Sequence, residues 1–218
     1  NLENLTTVGS DFDLRLTGVT TLALPSLTSV GGTLTIYQND SLTTIDSMGS
    51  SCDIVGGLSI GDNDALADTS GLNGVATVGG DLSVGSNGPT DGTATFTMNG
   101  LTSDGTAVDG YVRIYNNGFT SIDLSVGEIS GYLRVFDNPR VETVTMNSLT
   151  NVGSWLEYWR NGWNAPSGTT VSLSGLESVA DYVDIDGYDS GYGKLVSLTL
   201  GNDATLLKVG VDDGSNAY

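Results

Sequence analysis

The chain has 218 residues, 31 of them Gly, with 7 Lys+Arg against 26 Asp+Glu and no His. A net charge of −19 repels phosphate backbones and anionic membrane surfaces, so nucleic acid is not an expected partner. Without His, the Ser-His-Asp and Cys-His mechanisms and His-based zinc sites are excluded.

Taken from the N-terminus, Val8 opens the first of eight copies of one short apolar pattern. Its clearest forms are Val30-Gly31-Gly32-Thr33-Leu34-Thr35-Ile36 and Val78-Gly79-Gly80-Asp81-Leu82-Ser83-Val84. Looser copies start at Ile54, Val108, Ile129, Val152 and Val179, so successive anchors are spaced by 22, 24, 24, 30, 21, 23 and 27 residues. Three residues before the anchor stands Leu5, Leu27, Val75, Val126, Leu149 or Leu176. Three residues beyond the last apolar position stands Asn39, Asn63, Asn87, Asn117, Asn138 or Asn161, with Thr17 in the first copy and Tyr188 in the eighth. A second alternating run follows each Asn turn, as in Thr95-Phe96-Thr97-Met98 or Leu198-Thr199-Leu200. Each unit therefore reads as two or three short period-2 strands joined by Gly, Asn and Asp turns.

A unit of this length with one apolar side cannot fold alone, whereas stacked units bury one continuous core. The sequence thus predicts an all-β chain, residues 1–218 forming a single β-solenoid domain of about eight coils of 21–30 residues. Leu34, Ile36, Leu82, Leu133 and Leu156 are expected inside. The six Asn residues are expected to form a structural ladder, their amides capping backbone groups coil after coil. Cys52, the single cysteine, cannot form an internal disulfide and reads as a small buried thiol. No apolar run approaches the ~18 residues of a membrane span, so no transmembrane segment is expected. No signal peptide precedes Asn1, which suits a mature secreted product or a trimmed piece.

The phased positions Leu27, Val30, Gly31, Gly32, Leu34, Ile36, Asn39, Leu42 and Ile45 resemble the receptor L-domain, a leucine-rich-repeat-like right-handed β-helix. That family includes ligand-binding lobes of insulin- and epidermal-growth-factor-type receptors and many secreted or wall-anchored microbial proteins. The resemblance spans essentially the whole chain and implies an extracellular or cell-surface location and no catalytic residues. Receptor members are stapled by disulfides and this chain is not, so it looks closer to the microbial members.

With Leu34 and Ile36 inward, Thr33, Thr35 and Tyr37 point outward. The same phase places Tyr111, Arg113 and Tyr115 outward in the fifth coil, then Tyr132, Arg134 and Phe136 in the sixth. Trp155, Glu157 and Trp159 follow in the seventh, and Tyr182, Asp184 and Asp186 in the eighth. All but three of the chain's aromatics lie after residue 110, which predicts an exposed aromatic patch with arginines inside it. Exposed apolar patches mark interaction sites, and Tyr, Trp and Arg are typical anchors. The bland alternative is sheet propensity, since stacked rings also stabilise neighbouring strands.

Four further features carry weaker signals. The column Thr21, Thr44, Thr95, Ser121, Thr143, Thr170 and Ser197 presents hydroxyls, as ice-binding solenoids do and as ordinary β-branched surfaces also do. Acidic turns at Asp62-Asn63-Asp64, Asp184 to Asp189 and Asp212-Asp213 have oxygen ligands for calcium, though Leu195 stands where an EF-hand needs Glu. Asp184, Asp186 and Arg160 show no paired-carboxylate spacing, so no enzyme activity, no catalytic residues and no cofactor are expected. Asn4-Leu5-Thr6 and Asn39-Asp40-Ser41 have the form of glycosylation sequons, and only Asn4 is expected to be accessible.

The expected role is therefore extracellular, non-enzymatic, and structural or adhesive, with self-association into a layer, sheath or filament through the aromatic face. The alternative is a glycan- or protein-recognition module using the same face, and ice binding is a third reading. Partners are other copies of the chain, or a cell-surface protein or glycan.

Overall fold

The computed structural model describes residues 2–101, 108–186 and 195–201, and the backbone of Val209–Gly210. Successive repeats wind into a β-solenoid whose strands pair in parallel with the equivalent strands of the coils before and after. The eight anchors form one row: Val8, Val30, Ile54 and Val78 pair in order. Single bridges carry that row through Val108 to Ile129, and Val152 and Val179 complete it. The central sheet has nine strands, from Phe12–Arg15 through Val183–Ile185 to Val209–Gly210, the last lying beyond the eight anticipated coils.

Alternation along the central strands decides what is buried. Leu34, Ile36, Leu82, Leu133 and Leu156 all lie at 2% exposure or less, so the inward phase is the expected one. One inward column runs Phe12, Leu34, Leu58, Leu82, Val112, Leu133, Leu156 and Val183, with like stacked on like in register. This is why every position of the column is apolar: each side chain meets its own counterpart one coil away.

A third row of strands closes each coil, from Thr21–Leu24 and Thr44–Met48 to the five-stranded group between Thr95–Met98 and Leu195–Leu200. The two groups are joined through Ala67, Asp68 and Thr69: Asp68 bridges Thr44 to Thr95, and Thr69 Oγ1 bonds the Thr97 backbone. After them the third coil makes a 3-10 turn over Ser70–Gly74, with Leu72 buried, where the alternating pattern predicted only strand and turn.

Cys52 is buried and its thiol is free. It pairs with Val75, and the register then slips by a residue before Ile54 meets Val78. A bulge thus brings Cys52 into register with the buried Val75 of the next coil. Burial, with a smaller contribution from the Asp53 charge, pushes the thiol up to about 11. The folded chain should therefore resist thiol-specific alkylation at pH 8 and react only once unfolded. Labelling of the native protein at the rate of a free peptide would contradict this placement.

The Asn ladder and the aromatic ridge

Both candidate features grow from the same turn. The residue before each ladder position adopts a left-handed φ between 50° and 56°: Leu16, Gln38, Asp62, Ser86, Asn116, Asp137 and Arg160. Asn and Asp tolerate this region best among non-Gly residues, which suits Asp62, Asn116 and Asp137 but not Leu16, Gln38, Ser86 and Arg160. The ladder side chain holds the turn instead. The Nδ2 group of Asn63, for example, donates back to the Gly61 carbonyl at 2.9 Å and across the coil gap to the Ile36 carbonyl at 3.1 Å. Its Oδ1 accepts the Asn39 backbone N–H at 3.0 Å. The pattern repeats without a break from Thr17, whose N–H donates to Asn39 Oδ1, to Asn138, whose N–H donates to Asn161 Oδ1. Asn39, Asn63, Asn87, Asn117, Asn138 and Asn161 are all at 5% exposure or less. Asn39 is therefore no acceptor for a glycan, while Asn4 is exposed. Tyr188 lies outside the described residues.

On the outer side of the central sheet, register brings the aromatic positions together. Arg113 pairs with Arg134 and Arg134 with Glu157, while Tyr115, Phe136 and Trp159 occupy successive strands. The rings stand in two stacks, face against face. One runs Tyr111, Tyr132, Trp155 and Tyr182, with centroids 4.8, 4.0 and 5.9 Å apart and ring planes within 10° of parallel. The other runs Tyr115, Phe136 and Trp159 at 5.2 and 5.1 Å. Between the stacks lie the guanidinium groups: Arg113 is 5.0 Å from the Tyr115 ring, and Arg134 is 4.6 Å from Phe136 and 5.2 Å from Trp159. Arg134 Nε also sits 2.8 Å from Glu157 Oε2. Tyr182 donates to Glu157 Oε1 at 2.7 Å, and desolvation followed by that carboxylate pushes its phenol up to about 12.

The stacking corrects the expectation of an openly exposed patch. Tyr111, Tyr115, Tyr132, Phe136, Trp155 and Trp159 are half-buried, and only Tyr182, at 38%, is exposed. Rings on strands ~4.8 Å apart cover one another's faces, so the ridge offers edges to solvent. Trp155 is covered on both sides, by Tyr132 and Tyr182. Trp159 has Phe136 on one side, and the Arg160 guanidinium lies 5.1 Å from its ring.

Sequence reasoning placed Tyr115 on this face but left out Arg15, Tyr37 and Arg160. Tyr115 lies over Gly85, where an added Cβ would fall 2.3 Å from the ring, so any larger residue there would displace the ring from this position. Tyr37 leans over Gly61 in the same way, and Arg15 sits 5.5 Å from the Tyr37 ring. Arg160, joined to Asp137 at 2.8 Å, closes the far end of the second stack. The Gly residues beside these aromatics were the available signal.

The hydroxyl column forms as expected, but register inserts Asp68 between Thr44 and Thr95. Asp123 stands in the adjacent column between Thr97 and Thr145. In the first acidic turn Asn63 is committed to the ladder, and the Asp62 carboxylate beside Tyr37 raises that phenol. Residues 187–189 and Asp212-Asp213 lie outside the described residues. Among the described residues no three His, Cys, Asp or Glu side chains are grouped to hold a metal, and no helix is long and apolar enough to cross a membrane.

No protein-family model matches the chain, and neither a curated protein nor a solved structure does.

Proposed function

We propose that the chain is an extracellular, non-enzymatic structural or adhesive surface protein that self-associates into a layer, sheath or filament through its aromatic ridge. Its phased Leu, Val, Gly and Asn positions resemble the microbial receptor L-domain proteins, and the reading of its location rests on that resemblance. The observation that carries the proposal is the ridge itself: seven rings in two stacks, with Arg113 and Arg134 between them. A stack whose faces are already occupied presents a flat strip of ring edges, phenol and indole donors and guanidinium groups. A broad, flat partner such as another protein sheet matches that strip better than a sugar ring stacked on Trp155 or Trp159. Covering the remaining apolar area contributes ~25 cal/mol per Å², and Arg–aromatic groups carry most of the energy of such contacts.

Light scattering coupled to size exclusion tests this directly. The unmodified chain should assemble in a concentration-dependent way, and the double change Trp155→Ala with Trp159→Ala should leave a monomer with an unchanged circular dichroism spectrum. A chain that stays monomeric at every protein and salt concentration would overturn the proposal.

A further inference from the structure

Next to the ridge, on the same face, the central sheet drops into a depression of about 480 Å³. Gly57, Gly80, Ser59 and Ser83 line its floor, and Tyr111 stands at its edge. We propose that this depression is a binding subsite for a neutral saccharide, with Tyr111 as its stacking platform.

Four observations converge. The first is a ring face. Tyr132 covers one side of Tyr111 at 4.8 Å, and Tyr111 is the one ring of the two stacks that also lines this depression. The flat C–H side of a pyranose packs on such a face, whose π cloud is negative. The second is unused hydrogen-bonding capacity. The hydroxyls of Ser59 and Ser83 have no hydrogen-bond partner among the described residues. These partly exposed hydroxyls can donate to and accept from the hydroxyls of a sugar lying over them.

The third observation is size: the volume falls within the ~300–1,000 Å³ of small-molecule sites. The fourth is charge, and it selects the class of sugar. Asp81 and Asp109 line the depression, and Asp81 is fixed beside the ring because its Oδ1 accepts the Tyr111 N–H at 3.1 Å. Carboxylates accept hydrogen bonds from sugar hydroxyls but repel uronate, sulfate and phosphate groups, as does a chain of net charge −19. The ligand is therefore an uncharged oligosaccharide or polysaccharide segment. Tyr111 belongs to the ridge as well, but Trp155 and Trp159 lie two coils away, so replacing them tests assembly without altering the lining of the subsite.

Titrating the chain with laminarihexaose, cellohexaose and chitohexaose, with a galacturonate oligosaccharide as the anionic comparison, tests the subsite by calorimetry and saturation-transfer NMR. At least one neutral hexasaccharide should bind, and the anionic one should not. Tyr111→Ala removes the platform and Ser83→Trp fills the floor, so each should weaken binding by about tenfold or more, as loss of an aromatic anchor does. Tyr111→Phe should retain binding, and Trp155→Ala with Trp159→Ala should leave it intact even where assembly is lost. Absence of binding to all three neutral sugars, unchanged affinity in Ser83→Trp, or preference for the galacturonate would each overturn the proposal. Thermal melts confirm that the variants are folded.

Discussion

Replacing Leu82 by Ala should destabilise the chain by about 2–5 kcal/mol, measured by urea denaturation followed by circular dichroism. Leu82 has no exposed surface, and it is held in register between Leu58 on one coil and Val112 on the next. The cost of such a truncation depends on how far the surroundings collapse into the space left. Here they collapse little, because parallel ladders on both sides fix the coil spacing at ~4.8 Å. The upper half of the range is therefore expected. Ser83, one residue on, points outward, and its change to Ala should fall within about 0.5 kcal/mol of the unmodified chain, as for ordinary surface positions. The reverse ranking would mean that every strand is misphased by one residue, since such a slip exchanges the two faces of a sheet.

The inward phase at Leu82 was legible because a solenoid repeats each environment from coil to coil. Val8, Val30, Ile54, Val78, Val108, Ile129, Val152 and Val179 share one row, so the same selection for a β-branched apolar residue acts on each. The Asn ladder was legible for the same reason. Period and phase do not contain register slips, however. Nothing in the order of residues marks the bulge that moves Cys52 into the column of Val75, or the 3-10 turn at Ser70–Gly74. The outer face shows a second limit. Alternation tells which way Tyr115 points, but its lean over Gly85 depends on rotamer and on the residue one coil earlier. The expectation of exposure failed on that account, because it treated the rings of neighbouring strands singly when they bury one another. The left-handed turn residues were invisible for a third reason. Leu16, Gln38 and Arg160 have no common preference for that conformation, and the ladder amide one residue later imposes it.

That ladder should be the other large contributor, and Asn117 is its most informative member. Asn117 is fully buried, with coils on both sides. Its Oδ1 accepts the Asn87 N–H at 3.0 Å and Asn87 Nδ2 at 3.1 Å, and its Nδ2 donates to the Val84 carbonyl and Asn138 Oδ1, each at 3.1 Å. Asn117→Ala leaves the Asn87 N–H and the Val84 carbonyl without these partners in a dry turn, at about 1–3 kcal/mol for each group orphaned. Asn117→Asp should be worse at pH 7, because a carboxylate can accept from Asn87 but has no donor for the two oxygens facing it. Burial and those oxygens would raise the new carboxyl's pKa in the folded state above its unfolded value. The aspartate variant should therefore be least stable at neutral pH and should regain stability as pH falls through that raised pKa, when the protonated oxygen can donate. Thr17→Ala, at the half-buried start of the same row, should cost less than either. Denaturation midpoints for the three variants between pH 4 and 8 decide the matter. If Asn117→Ala lies within about 0.5 kcal/mol of the unmodified chain, the repeated Asn reflects only the preference of that residue for turns.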